Sequence, residues 1–568
     1  MSDFRREYVR FDALTRTLKG WAEKHRFVRL ESLGESLEGR ELWLLTIGPE
    51  PERARAAAWV DGNMHASEVA GSSVALAIAE DMIALHLEDT TPLREDHPAR
   101  LLPKHVKDRL RETLLYVMPR VCPDGAEAVL ETGRYVRSNP RDRRPHPPVA
   151  RWVSKDVDGD GASLSIRRED PSGEWVEDPE LPGVMLPRRL EDKGPFYKIW
   201  PEGLIESFDG AHVPDPYFLG DNDTDLNRNF PWSWMPEPTQ AGAGTYPTSE
   251  PESRAIVEFM TTHPNVFSWM NLHTFGGVYI RPLGNAPDTK MDPQDLAVFD
   301  QVAEWGKEHG GYPTVSGYEQ FTYEPDKPLH GDMADFGYHV RGAITYVCEL
   351  WDLFARLGVA PKKKFVDYYT HLSREDLLAL AKFDREQNQG RIFRGWKRAK
   401  HPQLGDVEVG GTAPLVGIFN PPNEVLAEVC ARQSAAYLRV AAMAPALEIA
   451  DVRTSDAGGA VRVDVDVRNA GYLPTYVLSS AKKLGFDARV FLEVEAGGGA
   501  SVETRDQRIE VGHLEGWGRG LFASSIFYQR SRGTVSSRTV SFVVRGKGTL
   551  KITARGLRVG AVTREISV

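Results

Sequence analysis

Apolar residues follow two rhythms along this chain, and the change of rhythm divides it. Between Glu41 and Leu350 the apolar stretches are short and unbroken: ELWLLTIG (41–48), AAAWVDGN (56–63), LLYVMP (114–119), VFSWMNLH (266–273), VYIRP (278–282) and AITYVCEL (343–350). Continuous runs of this length are the pattern of strands covered on both faces. Stretches of helical periodicity lie between them. Residues 12–26 place Leu14, Leu18, Trp21 and Ala22 on one face, Ser67–Leu85 is small and apolar, and further helical stretches fall near 250–262, 292–310 and 365–386. Strands that alternate with helices predict an α/β domain with a mixed, mostly parallel central sheet flanked by helices.

Past about residue 445 the rhythm becomes strict alternation. VRVDVDVRN (461–469) puts Val461, Val463, Val465 and Val467 on one face and charges on the other; ARVFLEVEA, TVSFVVRG and TLKITARG follow, with turns between them. That pattern predicts a C-terminal antiparallel β-sandwich, joined to the first domain by a helix over 422–443. The predicted domains are therefore 1–444 and 445–568. Within the first, residues from about 140 to 220 are rich in Pro, Gly, Asp and Arg with weak periodicity. They read as a long insertion with short strands of its own, such as Ser163–Arg167. A segment of this length in a compact domain is often functional, for example as the wall of a cleft.

Length and charge narrow the classes. The chain has 568 residues, enough for two or three domains, and a formal net charge of -11, which argues against a nucleic-acid binder. The Arg-rich stretch Arg134–Arg144 is local and reads first as a solvated loop. Three cysteines (Cys122, Cys348 and Cys430) without a CxxC pair suit a reducing compartment. The first twenty residues lack the apolar core of an export signal, and no run approaches a membrane span. The expected location is the cytoplasm, with no membrane partner; the oligomeric state is open.

Candidate chemistry gathers at the ends of the apolar runs. His65-Ala66-Ser67-Glu68 follows one predicted strand and opens a helix. Imidazole and carboxylate three residues apart can reach one cation, and both are zinc ligands; a catalytic zinc takes three protein ligands and keeps one position for water. His273 ends another apolar run, where a sheet edge would present it to the same cleft. Each feature has a plainer reading. HxxE is a common surface pair, and a strand-end histidine is usually a satisfied core residue. Glu349 closes AITYVCEL, so it is a carboxylate at the end of a buried strand. It suits a general base beside a metal-bound water, although an isolated strand-end Glu is more often a structural partner for an arginine.

In order along residues 5–355, the motifs resemble the zinc metallocarboxypeptidase family of the carboxypeptidase A and B type. SLGESLEGREL (32–42), DGNMHASE (61–68), VCPDG (121–125), TDLNRNFPW (224–232), NLHT (271–274) and the stretch from GDMADFGY to TYVCELWD (331–352) look like its successive signature segments. Cys122 stands where Asn is usual. The resemblance implies one zinc per chain held by His65, Glu68 and His273, with Glu349 as catalytic base. It implies that Arg137 helps to stabilise the oxyanion, and that Asn227 and Arg228 hold the substrate's terminal carboxylate. It also implies a substrate-contacting tyrosine, matched best by Tyr323 and otherwise by Tyr318. Phe275 replaces a tyrosine common two residues after the third ligand. Ala334 occupies a position that partly sets side-chain preference; it supplies no acid, although Asp332 lies nearby, so the preferred C-terminal residue is open.

The implied activity is hydrolysis of the C-terminal peptide bond of peptides or proteins. Two rivals accompany it: a same-fold zinc amidohydrolase acting on a peptidoglycan peptide, a polyglutamate side chain or an N-acyl amino acid, and a non-catalytic binding protein on this fold. Asp156-Val157-Asp158-Gly159-Asp160-Gly161 matches half of a calcium loop, but Arg167 stands where such a loop places its bidentate Glu. An Asx-rich turn is the expected reading, with structural Ca2+ as the minor one. Asp221–Asp225 reads as a turn that positions Asn227.

Overall fold

A computed structural model of the chain describes residues 2–140, 149–216, 224–324, 327–518 and 531–568. Asp221–Asp223, and the part of the Arg-rich stretch from Arg141 to Arg144, lie outside the described residues.

An eight-stranded mixed sheet organises the first domain. Its strands are β1 (Val28–Glu35), β2 (Glu41–Ile47), β3 (Ala57–Gly62), β4 (Leu114–Met118), β5 (Val266–Thr274), β6 (Val278–Arg281), β7 (Thr314–Ser316) and β8 (Ile344–Leu350). They lie in the order β1-β2-β4-β3-β5-β8-β6-β7. The centre, β4-β3-β5-β8, is parallel throughout. The first two pairings, β1 with β2 and β2 with β4, are antiparallel, as is that of β8 with β6.

Alternation along β3 shows why both faces are apolar. Ala58 and Val60 join one core with the helices Ala70–His86 and Asn423–Ala441. Ala57 and Trp59 join another with Ile256 and Phe259 of the helix Pro251–Thr262 and Phe336 of the helix Met333–His339. Each face is thus removed from water, which rewards an unbroken apolar strand. The parallel strands deliver their C-terminal ends to one edge of the sheet, the usual position of a binding crevice in open α/β sheets.

The insertion does form short strands, but their sheet is not self-contained. Strands Ser165–Glu169, Phe196–Pro201, Trp175–Glu177 and Met185–Pro187 continue a hairpin made from Phe393–His401 and Gly405–Thr412. The C-terminal region forms two four-stranded antiparallel sheets. Val463, Val465 and Val467 are fully buried between them with Leu492, Phe542 and Ile552. Val461, at the strand's start, is only half-buried.

Candidate metal centre and active site

Close backbone packing builds the loop that carries His65 and Glu68. A Cβ placed on Gly62, the last residue of β3, would lie 2.4 Å from the backbone of Gly71 in the following helix, so strand and helix touch main chain to main chain. Asn63 turns the chain with φ 60°, a left-handed conformation that Asn tolerates better than most residues. Its Nδ2 donates to the carbonyls of His65 and Ala66 at 2.7 and 3.0 Å. From outside the loop, Asn420 accepts from Ala70 N and donates to Ser67 O.

His65, Glu68 and His273 are buried together, and one ligand atom of each lies within 4.8 Å of the others. The nitrogens that meet are decided by what holds the other side of each ring. His65 Nε2 donates to Asp225 Oδ1 at 2.9 Å. His273 Nε2 donates to Asn271 Oδ1, and Asn271 Nδ2 donates to Asp61. Asp61 is anchored by the indole N–H groups of Trp59 and Trp269, each at 2.7 Å; burial lifts its carboxyl to about 6 despite them.

With both Nε2 atoms committed as donors, a neutral ring presents its lone pair at Nδ1. The two Nδ1 atoms are 2.9 Å apart, and Glu68 places an oxygen 2.9 Å from each. Acceptors facing acceptors repel unless a cation or proton lies among them. Two neutral imidazoles with outer acceptors, plus one carboxylate, is a donor set that fits zinc. Glu68 is itself buried. Thr274 N donates to its second oxygen at 3.0 Å.

Glu349 stands in register with His273 across the parallel pair β5-β8. Adjacent strands are roughly 4.8 Å apart and registered residues point to the same face, so Glu349 projects beside the ligand group. It is the one residue of β8 that is not fully buried. Burial, and then the neighbouring Glu68 charge, push its carboxyl well above the ordinary range; His65 and Arg137 oppose this. Cys348 points to the opposite face, where its Sγ lies 3.8 Å from Gln433 Oε1.

Arg137 reaches the same centre. Its Nε and Nη2 donate to Asp225 Oδ2 at 3.1 and 2.9 Å, and its Nη1 lies 3.5 Å from Glu68. Asn227 and Arg228 sit on a short turn, Leu226–Arg228, that Asp225 caps through Asn227 N. Asn227 Oδ1 accepts from Met333 N, which turns its amide nitrogen the other way. Arg228 is 8% exposed; its Nη1 donates to Asn227 O and its Nε has no hydrogen-bond partner among the described residues. Asp332 and Asp335 lie beyond it, each with one oxygen unpartnered among the described residues. Burial, with the charge of Asp332, lifts Asp335 to about 8.

Tyr323 is 55% exposed, and its phenol interacts electrostatically with Arg137, Glu349, Arg228 and Glu68. Tyr318 lies at the start of the helix Gly317–Phe321, where its N donates to Leu283 O. The half-buried Phe275 packs against Tyr369, Phe354 and Phe419, with ring centroids 5.4–5.6 Å away. In the Asp156–Gly161 loop both oxygens of Asp156 accept from loop N–H groups, as an Asx-rich turn requires, while Asp158 and Glu202 lie close by. Arg167 is not in that loop; it pairs with Glu177 and Glu408.

Three contributors escape sequence reasoning. Asp225 reads with its neighbours as a turn, yet it also holds His65 and Arg137. Asn271 carries a usable signal: residues two apart on a strand share a face, so Asn271 and His273 have to lie side by side. Asp61 acts only through Asn271, a relation that no local spacing displays.

A family profile described as zinc carboxypeptidase matches residues 14–371, and a second, described as a domain of unknown function, matches residues 446–567. Mouse (Mus musculus) carboxypeptidase M is 28% identical over 145 residues, 25% of this chain and 29% of that protein. Human (Homo sapiens) mast cell carboxypeptidase A is 29% identical over 141 residues, 23% of this chain and 32% of that protein. The chain thus spans less than a third of the length of these curated relatives. The crystal structure of thrombin activatable fibrinolysis inhibitor is similar at a TM-score of 0.40 and 18% identity, over 68% of this chain and 75% of that one. With the family profile running through the sheet, the histidine–glutamate group and Glu349, the chain belongs to the zinc carboxypeptidase family.

Proposed function

We propose that the protein is a zinc-dependent metallocarboxypeptidase that hydrolyses the C-terminal peptide bond of peptides or proteins. One observation carries this reading: in a buried His65–Glu68–His273 donor set, both rings fixed with Nδ1 inward, His273 lies in register with the cleft-facing carboxylate of Glu349. Zinc held there would polarise the scissile carbonyl and acidify a bound water.

The remaining roles follow from the side chains. Arg228 offers a nearly buried guanidinium, and Asn227 an amide N–H, to the substrate's terminal carboxylate; a planar guanidinium binds such a group through two parallel hydrogen bonds. Tyr323, exposed at the cleft, contributes a hydroxyl to the docked substrate. Glu349 takes the proton of the attacking water and returns it to the leaving amine. Arg137, held by Asp225 through Nε and Nη2, presents Nη1 to the oxyanion.

The test compares one peptide with a free C-terminal carboxylate and with a C-terminal amide, following the released residue by mass spectrometry. The free acid loses its last residue and the amide is cut at least about 100-fold more slowly, as expected when a buried cation is left unpaired. Glu349→Gln retains metal and loses about 1,000-fold in turnover. Equal rates on both peptides, or a near wild-type rate from Glu349→Gln, would contradict the proposal.

A further inference from the structure

A cavity of about 390 Å³, lined in part by Tyr135 two residues from Arg137, is used by no step above. Tyr135 of the first domain forms one wall, and Leu164, Ser165, Ile199 and Trp200 of the insertion form another; Thr412, from the hairpin that extends the insertion's sheet, also lines it. The lining residues carry no charge. A volume of this order is that of a small ligand pocket.

Two sets of contacts link the cavity's wall to the site. Tyr135 is hydrogen-bonded to Arg137, the residue 3.5 Å from Glu68. A run of half-buried rings also joins the two places: Tyr135 to Phe419 at 5.3 Å, Phe419 to Phe275 at 5.6 Å and Phe275 to Tyr369 at 5.4 Å. Tyr369 in turn interacts electrostatically with Glu349 and Tyr323. Aromatic rings thus lead from the cavity's wall towards the base. The elements around Arg228, namely 226–233 and 330–335, contribute nothing to the cavity's walls.

We propose that this cavity binds the substrate segment upstream of the scissile bond, taking an uncharged aromatic or branched apolar side chain against Trp200 and Ile199. The inference rests on the carboxypeptidase reading, in which the terminal carboxylate sits at Arg228 and the rest of the peptide must leave on the other side. The ring-to-ring steps limit the path to about five extended residues at roughly 3.3 Å each. The enzyme then prefers peptides of several residues over acyl dipeptides, and Phe or Leu over Asp within the upstream segment.

The test is a ladder of free-acid peptides, from an N-acyl dipeptide to an octapeptide, with Phe or Asp placed three to six residues before the C-terminus. In the full-length enzyme kcat/KM rises with length, and at least about tenfold when Phe occupies the favoured position. Trp200→Ala removes that gain and leaves the dipeptide rate unchanged. Thr412→Trp, which fills the cavity from the opposite side, does the same and guards against a folding defect in the first variant. Binding of the same peptides to Glu349→Gln by calorimetry gives a readout independent of turnover. If no peptide is cleaved but affinity still rises with an upstream Phe and falls in Trp200→Ala, the hydrolase reading fails and the pocket stands. A flat length series, or equal losses on dipeptide and octapeptide, overturns the pocket. Binding confined to peptides that carry a sugar overturns it in favour of a glycan site.

Discussion

Asp225 serves three groups with two oxygens: Oδ1 accepts from His65 Nε2 and Asn227 N, and Oδ2 accepts from Arg137. Burial opposes its charge, but Arg137, His65 and Arg228 hold its carboxyl well below the usual range. One residue thus fixes a ring orientation, caps the Asn227–Arg228 turn and positions Arg137. Asp225→Asn keeps the shape but weakens the acceptor, so zinc affinity falls about 10- to 100-fold. Competition against a chromophoric chelator measures this; unchanged affinity would show that the ring needs no anchor. The residues proposed to touch the reaction were picked out in the sequence because each stands at the end of an apolar run or inside a family motif. The residues that orient them were not, since Asp225 lies 160 positions from His65.

At the scale of elements, the helix Pro251–Thr262 begins with a buried carboxyl. Glu252 has one oxygen that accepts from Asn139 and one with no partner among the described residues. Burial lifts it to about 8, with Glu250 and Asp124 adding to the rise. Because the folded-state value is raised, the folded chain holds a proton that the unfolded chain has released above about pH 4.3. This group's contribution to stability is complete below that pH and is lost as pH rises towards 8, by up to about 1.4 kcal/mol per unit. Glu252→Gln removes the titration, so its melting temperature falls less between about pH 5 and 8 than that of the wild type. Parallel curves for the two proteins would place the proton elsewhere. The central strands were readable because burial on both faces leaves an unbroken apolar signature. The insertion's sheet was only half readable. Its partner strands, 393–401 and 405–412, lie far downstream, and the first of them is largely exposed, so it has no buried face to leave a pattern.

The whole molecule is less divided than the change of rhythm suggests. Leu473, Val477, Leu478 and Ala481, which follow the second strand of the sandwich, belong to the core of the first domain. Asp295 accepts from Ser479 N at 2.6 Å and from Tyr338 Oη at 3.0 Å, tying the same segment to two helices. A chain ended at residue 444 would expose this seam. Four apolar side chains at up to about 3 kcal/mol each amount to several kcal/mol, so the shortened protein should melt on the order of 10 °C lower or precipitate. A fragment with the melting temperature of the full chain would make the sandwich an independent appendage.

Everything proposed for the cleft depends on a metal at His65, Glu68 and His273. Elemental analysis of the purified wild type and of His273→Ala tests this most directly. The expected result is about one zinc per wild-type chain and close to none in the variant, with both proteins folded by circular dichroism. A wild type that takes up no zinc on reconstitution, or a variant that keeps it, would contradict the central claim.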